Sequence, residues 1–311
     1  MDVVTVGWLT MDDIVLADHS CRPDVMGGGA LYSAVGARIW ASDVGIHSAT
    51  GRPFLDTVRA AIEERDLDTE GIGAVEGNGL QLWLLHESAT AKQQVPKLTS
   101  STAEEMDRGR GPLPAAYALA RGFHVAPQTP AGSIENARRL HALPGRPMVT
   151  LDLLSDEFID RRLYADLGFL DAVTAFLPSE AEIGRIWNPP DLQAWLRDQA
   201  AAHACHMGAK LGQQGSLVCD CRTGALTHVP AFPARVVDTT GAGDGYCGGF
   251  LAGLVAGRPL AECAAMGTVS ASYVVEACGA LATAWPDPAE RDARFRTIME
   301  GVSGPSDRPP A

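Results

Sequence analysis

The residues best placed to do chemistry in this chain form one run, Asp238-Thr-Thr-Gly-Ala-Gly-Asp244. A carboxylate follows two glycines where a helical pattern begins. The first amides of a helix have no partner inside it and lie at the positive end of its dipole. Gly241 and Gly243 remove the side-chain bulk that would keep an anion off that backbone. A phosphate seated on the amides of Gly241, Ala242 and Gly243 is one chemistry this spacing supports. The plain alternative is a tightly packed core helix with Asp244 as an ordinary helix-start carboxylate. Gly245, Gly248, Gly249 and Gly253 follow, each costing up to about 1 kcal/mol relative to Ala within a helix. A chain accepts that where backbone must approach something closely.

Two familiar phosphate motifs are excluded. The only lysines are Lys92, Lys97 and Lys210, and none stands in a Gly-Lys-Ser/Thr pattern, so there is no Walker A loop. Gly241-Ala-Gly243 lacks the third glycine of a dinucleotide fingerprint and comes late in the chain. An oxidoreductase using a dinucleotide therefore has only the general glycine content behind it.

The elements that must position this run can be read from patterning. At 311 residues with 46% hydrophobic and 20% charged residues, the chain can fill a sizeable core. Strand-like segments at 2–7, 44–49, 79–86, 123–126, 148–152, 175–177 and 206–211 alternate with helical patterns. Those patterns cover 30–40, 53–65, 134–143, 158–167, 191–204, 250–256, 261–276 and 288–300. Such alternation implies βαβ units and a mostly parallel sheet covered on both faces. Residues 13–26, broken by Pro23, and 79–98 read as a small β flap. No linker divides the chain, so one domain over 1–311 is expected, with a frayed Pro-rich end from Gly304 onward.

Composition limits the partners and the compartment. The net charge is −13, which argues against a nucleic-acid backbone as the main partner. It leaves a phosphate ligand open, because backbone amides bind anions whatever the net charge. Seven cysteines with no CxxC pair read as reduced, buried thiols. The apolar stretch Val3 to Met11 is preceded by Asp2 and followed by Asp12 and Asp13, unlike a signal peptide. No apolar run reaches the roughly 20 residues of a spanning helix. A cytoplasmic protein without membrane partners is expected.

Taken together, these residues resemble the ribokinase-like, or PfkB, carbohydrate and nucleoside kinases. Asp238 to Asp244 followed by Gly249-Phe-Leu is similar to that family's C-terminal signature nearly residue for residue. Gly7 and Asp12 resemble the first strand and its substrate-binding aspartate, and Gly27-Gly28-Gly29-Ala30 the glycine turn under the sugar. Met148 to Asp152, Leu177 to Glu182 and Lys210-Leu-Gly-Gln-Gln-Gly215 match further family segments. The resemblance implies a three-layer αβα domain with a mostly parallel central sheet and a small β lid.

It also implies roles. Asp244 takes the proton from an acceptor hydroxyl attacking the γ-phosphate of ATP, and Gly241, Ala242 and Gly243 form the anion hole. Lys210, Gly212, Gln213 and Gly215 lie beside the nucleotide. Asp12, Gly28, Gly29 and Tyr32 face the acceptor. Glu182 holds Mg²⁺ through a water, although Ser179-x-x-Glu182 alone reads equally as a helix capping box. Asp238 and Thr240 match positions that help hold a monovalent cation, K⁺, in some members. Many relatives dimerise through the lid, but the segments 13–26 and 79–98 are too irregular to predict a homodimer for this chain.

Three departures stand out. Tyr32 takes the place of the usual Asn, Gly51-Arg-Pro-Phe54 replaces a Gly-Asp-Asp cluster, and Ser179 stands where Asn is commonest. A phenol cannot reproduce the donor and acceptor of an amide. A cyclitol, nucleoside or modified sugar is therefore as fitting an acceptor as a simple hexose. The runner-up reading is a catalytically degenerate member that senses nucleotide or sugar. Retention of Asp244 and the whole Gly-Ala-Gly turn speaks against it. His86 and His124 read as structural histidines, and Trp8 as a pocket floor or a core residue. Cys219 and Cys221 alternate along a strand and so face opposite ways.

Overall fold

Val3 to Val6 form the first strand because a β-branched run between Asp2 and Gly7 has no other low-energy use. This computed structural model describes residues 1–87, 92–154 and 161–304. In chain order, β1 (Val3–Val6) leads to β2 (Thr10–Val15), β3 (Cys21–Gly27) and α1 (Gly29–Arg38). Then come β4 (Val44–Gly51), α2 (Leu55–Glu63), β5 (Ile72–Val75), β6 (Leu80–His86) and β7 (Lys92–Pro96). The middle of the chain holds α3 (Ala103–Gly109), β8 (Gly122–Val125), α4 (Pro130–His141), β9 (Met148–Leu151) and β10 (Ala175–Phe176). The remainder is α5 (Glu180–Ile186), α6 (Leu192–His203), β11 (His206–Lys210), β12 (Ser216–Cys219), β13 (Leu226–Val229), α7 (Ala242–Val255), α8 (Leu260–Val274) and α9 (Pro288–Glu300).

Nine strands make the main sheet in the order β13-β12-β11-β10-β9-β8-β1-β4-β5. Every pair from β5 to β11 is parallel, and β12 and β13 add an antiparallel edge. Period-two alternation splits the strand residues between two faces. Val4, Val6, Phe123 and Val125 pack with Ala137 and Leu140 of α4 and Leu196 of α6. Val3, Val44 and Ile46 turn the other way, against α1 and α2. Farther along that face, Ala175, Leu177 and Val218 pack with Phe250 of α7 and Val269 of α8. Three layers result, as the strand–helix rhythm implies.

A separate four-stranded sheet, β3-β2-β6-β7, is the lid. It begins earlier than the flap expected from residue 13, because Thr10 and Gly27 already pair. Residues 88–91 of the expected 79–98 segment lie outside the described residues. So do 305–311 of the expected frayed end and 158–160 of the helix expected over 158–167. The rest of that helix is corrected: 161–164 and 167–172 are separate 3₁₀ turns. Asp166 caps the second by accepting from the Gly168 amide, so one continuous helix cannot form there.

Helix α7 explains its own glycines. A methyl group at Gly248 would overlap the carbonyl oxygen of Ser33, and one at Gly36 would overlap that of Gly245. Helices α1 and α7 therefore meet backbone to backbone. That contact brings their N-termini side by side above the sheet.

Candidate active site

Both helices start from a glycine in the left-handed region: Gly28 before α1 (φ 95°) and Gly241 before α7 (φ 76°). A side chain at either position would be strained. The two starts face each other. A methyl group on Gly29 would lie 2.9 Å from Asp244 Oδ1, so the expected acceptor turn touches the expected base. Within the second turn, the Gly245 amide donates to the Gly241 carbonyl at 2.8 Å and the Ala242 amide to Thr239 at 3.3 Å. Ala242 is thus partly engaged inside the loop. Asp244 occupies the third helical position, in the favourable field of the dipole.

Asp12 comes from the lid. Its Oδ2 accepts from the Thr10 hydroxyl at 2.8 Å, and the residue is buried over Gly27. Asp12, Gly28, Gly29 and Asp244 are therefore brought to one place. Tyr32 is there too, but turned inward. Its ring lies directly against Gly241 and is only 3% exposed. Burial, followed by the charges of Asp238 and Asp12, pushes its phenol well above the ordinary range, so the ring is neutral. In this structure Tyr32 props the anion turn from below.

Behind the turn lies a group of charges that local patterning did not reveal. Lys210, the last residue of β11, donates to Asp152 Oδ2, just past β9, and Cys247 Sγ stands 3.9 Å from Nζ. Burial acts to lower the Lys210 pKa. The negative charge of Asp152, with Cys247 and Glu182 adding to it, outweighs burial, so the ammonium is held charged well above its usual range. Burial likewise pushes the Asp152 carboxyl up, with Glu182 and Asp244 adding to the rise and Lys210 opposing it. Cys247 is kept a thiol chiefly by burial. The signal for this pair lay in position: both residues sit at the carboxyl ends of parallel strands, where ligands of open α/β sheets collect.

Glu182 does form the capping box with Ser179: its Oε2 accepts from the Ser179 amide at 2.6 Å, and the Ser179 hydroxyl accepts from the Glu182 amide at 3.2 Å. It still acts electrostatically on Lys210 and Asp152. Gly212, Gln213 and Gly215 follow Lys210 in a 3₁₀ turn, with Gly212 and Gln213 exposed.

Asp238 is buried before the anion turn; its Oδ1 accepts from the Thr240 amide at 2.9 Å, and its Oδ2 has no hydrogen bond among the described residues. The lid reaches this spot through His86, whose Nε2 lies 3.7 Å from Asp238 Oδ1 and 3.5 Å from Thr240 Oγ1. His86 is thus a bridge between lid and turn, more than a core residue. His124 is a core residue, bonded to Thr150 at 2.9 Å. Trp8 is half-buried and donates to Asp107 at 3.2 Å.

A second cluster, His206, Asp220 and Cys221, lies at the start of β11 and just past the end of β12. Its lone pairs are engaged: His206 Nδ1 accepts from the Cys221 amide and Asp220 pairs with Arg222. Cys219 points away into the core, as the alternation requires. Among the described residues, no helix is long and apolar enough to cross a membrane.

Comparison with known proteins bears on what this site is for. The pfkB family carbohydrate kinase profile matches residues 23–288. The cytidine kinase of Thermococcus kodakarensis is 30% identical over 290 residues, which cover 90% of this chain and 98% of that protein. An Escherichia coli chain described as a ribokinase II, in complex with ATP and Mg²⁺, superposes with a TM-score of 0.72 at 15% identity, covering 95% of this chain and 99% of that one. The nucleoside kinase of Methanocaldococcus jannaschii gives 0.68 at 18% identity, over 96% and 99%. The last two are likenesses of fold.

Proposed function

This chain belongs to the pfkB family of carbohydrate kinases, and from that premise we propose that it moves the γ-phosphoryl group of ATP to a hydroxyl of a sugar-like acceptor held between Asp12 and Asp244. The observation that carries this reading is the contact of the two helix starts: Gly29, under the acceptor, abuts Asp244 Oδ1.

The acceptor rests on Gly28 and Gly29, with Asp12 accepting from one of its hydroxyls. Asp244 accepts the proton of the attacking hydroxyl. The turn at Gly241, Ala242 and Gly243, backed by Tyr32, holds the phosphoryl oxygens. In a loose transition state such positioning and charge stabilisation supply most of the rate. Gly212, Gln213 and Gly215 flank the nucleotide.

Two carboxylates, Asp152 and Glu182, act on the ammonium of Lys210, and hard oxygen donors suit a divalent cation. Glu182 is the residue that would hold Mg²⁺, through a water, which when bound neutralises phosphate charge. The buried, unpartnered Asp238 Oδ2 suits a monovalent cation in the same way. Tyr32 withholds the usual amide from the acceptor, which favours a nucleoside or cyclitol over ribose or fructose in the usual pose.

The test is ADP release with sugars, cyclitols and nucleosides, cytidine among them, beside Asp244→Asn. Loss of a positioned general base lowers kcat by about 10³-fold, with nucleotide affinity and Tm unchanged. A wild-type protein that binds nucleotide but turns over no acceptor overturns the reading. Equal activity in Asp244→Asn removes Asp244 as the base.

A further inference from the structure

A cradle built of amides and a carboxylate base leaves the charge of the phosphoryl group to be met by metal alone. Lys210 changes that balance. A methyl group on Gly243 would lie 3.1 Å from Lys210 Nζ, so the ammonium ends at the floor of the anion turn. An ammonium carries three N–H donors. Asp152 takes one, and the more distant Cys247 Sγ engages at most one other. At least one remains for an anion on the turn. The Lys210 side chain is also the more open of the ion pair, at 14% exposure against 3% for Asp152.

From this geometry we infer that Lys210 is a catalytic residue that hydrogen-bonds the transferring phosphoryl group over Gly243, with Asp152 as the positioning residue that aims it. The inference rests on the kinase reading of the site. The bond from the γ-phosphorus to ADP breaks, the bond to the acceptor oxygen forms, and the acceptor proton passes to Asp244. Lys210 gives up no proton; it supplies fixed positive charge where phosphoryl oxygens gather it in the transition state. Such charge in a dry site needs no reorganisation during reaction. A lysine stem is flexible, and the Asp152 anchor removes that freedom.

ATP carries the group that Lys210 touches and ADP lacks it, so the ratio of their affinities isolates the contact. Lys210→Met alone strands the buried Asp152 charge and can unfold the chain. The double variant Lys210→Met/Asp152→Asn removes the charge pair together, and circular dichroism checks its fold. Calorimetric Kd values with Mg²⁺ present should show the preference for ATP over ADP falling at least tenfold in the double variant. Its kcat should drop about 100-fold, the loss typical of one oxyanion donor, with the acceptor KM within threefold. Asp152→Asn keeps the ammonium unanchored and should lose about tenfold in kcat, a smaller loss than the double variant because the donor itself remains. An unchanged ATP-to-ADP ratio in the double variant overturns the inference, as does an equal loss of both affinities, which marks a structural role. If no acceptor is turned over by the wild type, the kinase reading fails while the affinity ratio still decides Lys210.

Discussion

Around the anion turn the molecule is backbone packed on backbone. Gly36 and Gly248 let α1 and α7 touch, Tyr32 supports Gly241 from below, and Lys210 reaches Gly243 from the side. The lid is built differently. Its β3 strand is largely exposed from Cys21 to Asp24, and Trp83 and Val95, cross-strand partners, are each 40% exposed. Side-chain contacts hold it: Asp13 pairs with Lys97 at 2.7 Å, and Lys97 lies 5.0 Å above the Trp83 ring. A backbone contact has no tolerance for added atoms, whereas a side-chain ion pair such as Asp13–Lys97, 13% and 16% exposed, can be replaced by another pair of side chains. The turn before Asp244 is thus committed to one geometry, and the lid is freer to vary.

The largest expected effect challenges that rigidity directly. Gly248→Val drives a side chain into the Ser33 carbonyl, and overpacking of this kind costs about 3 kcal/mol. Thermal denaturation should show Tm lowered by several degrees, and kcat should fall as the two helix starts separate. A Tm within about a degree of wild type would break the claim that backbone contact sets the site.

Acid titration separates the halves by pH window. Burial, followed by repulsion from Lys210, lowers His124 to about 3. The unfolded chain therefore binds more protons than the folded one between about 3 and 6.5, and stability falls as pH drops below 6.5. The slope is about 1.4 kcal/mol per pH unit for one such histidine, or roughly 2 kcal/mol by pH 5. Asp152, raised by burial, pulls the opposite way. Asp13 is lowered, chiefly by its hydrogen bond to Lys97, so its contribution is present above 3.8 and lost only as pH falls through its folded value. Urea denaturation from pH 7 to 5 should show a shallower decline in His124→Gln and an unaltered one in Asp13→Asn.

The smallest effect belongs to the lid. Asp13→Asn should lower global stability by less than about 1 kcal/mol. It should raise the acceptor KM a few-fold and leave the ATP KM alone. A comparable rise in both would mean that the lid and the phosphate half act as one unit.

Much of this was legible in the chain. Period-two strands alternating with amphipathic helices announce a covered parallel sheet, because burial on one face imposes the period whatever the partner. Gly241-Ala-Gly243 before Asp244 announces a glycine turn at a helix start, because the amides, the dipole and the absent side chains are all local. The short α3 and β5 and the β12–β13 edge carried weaker patterns. In place of one helix over 158–167 stand 3₁₀ turns, one of them started by the Asp166 cap, a local bond that competes with helix propagation.

The sequence by itself determined most of the elements and the glycine turn before Asp244, since each depends on neighbours a few residues away. Only the tertiary structure decided what surrounds them. Tyr32 reads as an acceptor residue until α1 is packed on α7, when its ring is found beneath Gly241. His86 reads as a structural histidine of the flap until the lid is folded down on Asp238 and Thr240. Lys210 and Asp152 are 58 residues apart, and no local propensity links them. They meet because β9 and β11 flank β10 in one parallel sheet, whose register and direction deliver both strand ends to the same edge of the site.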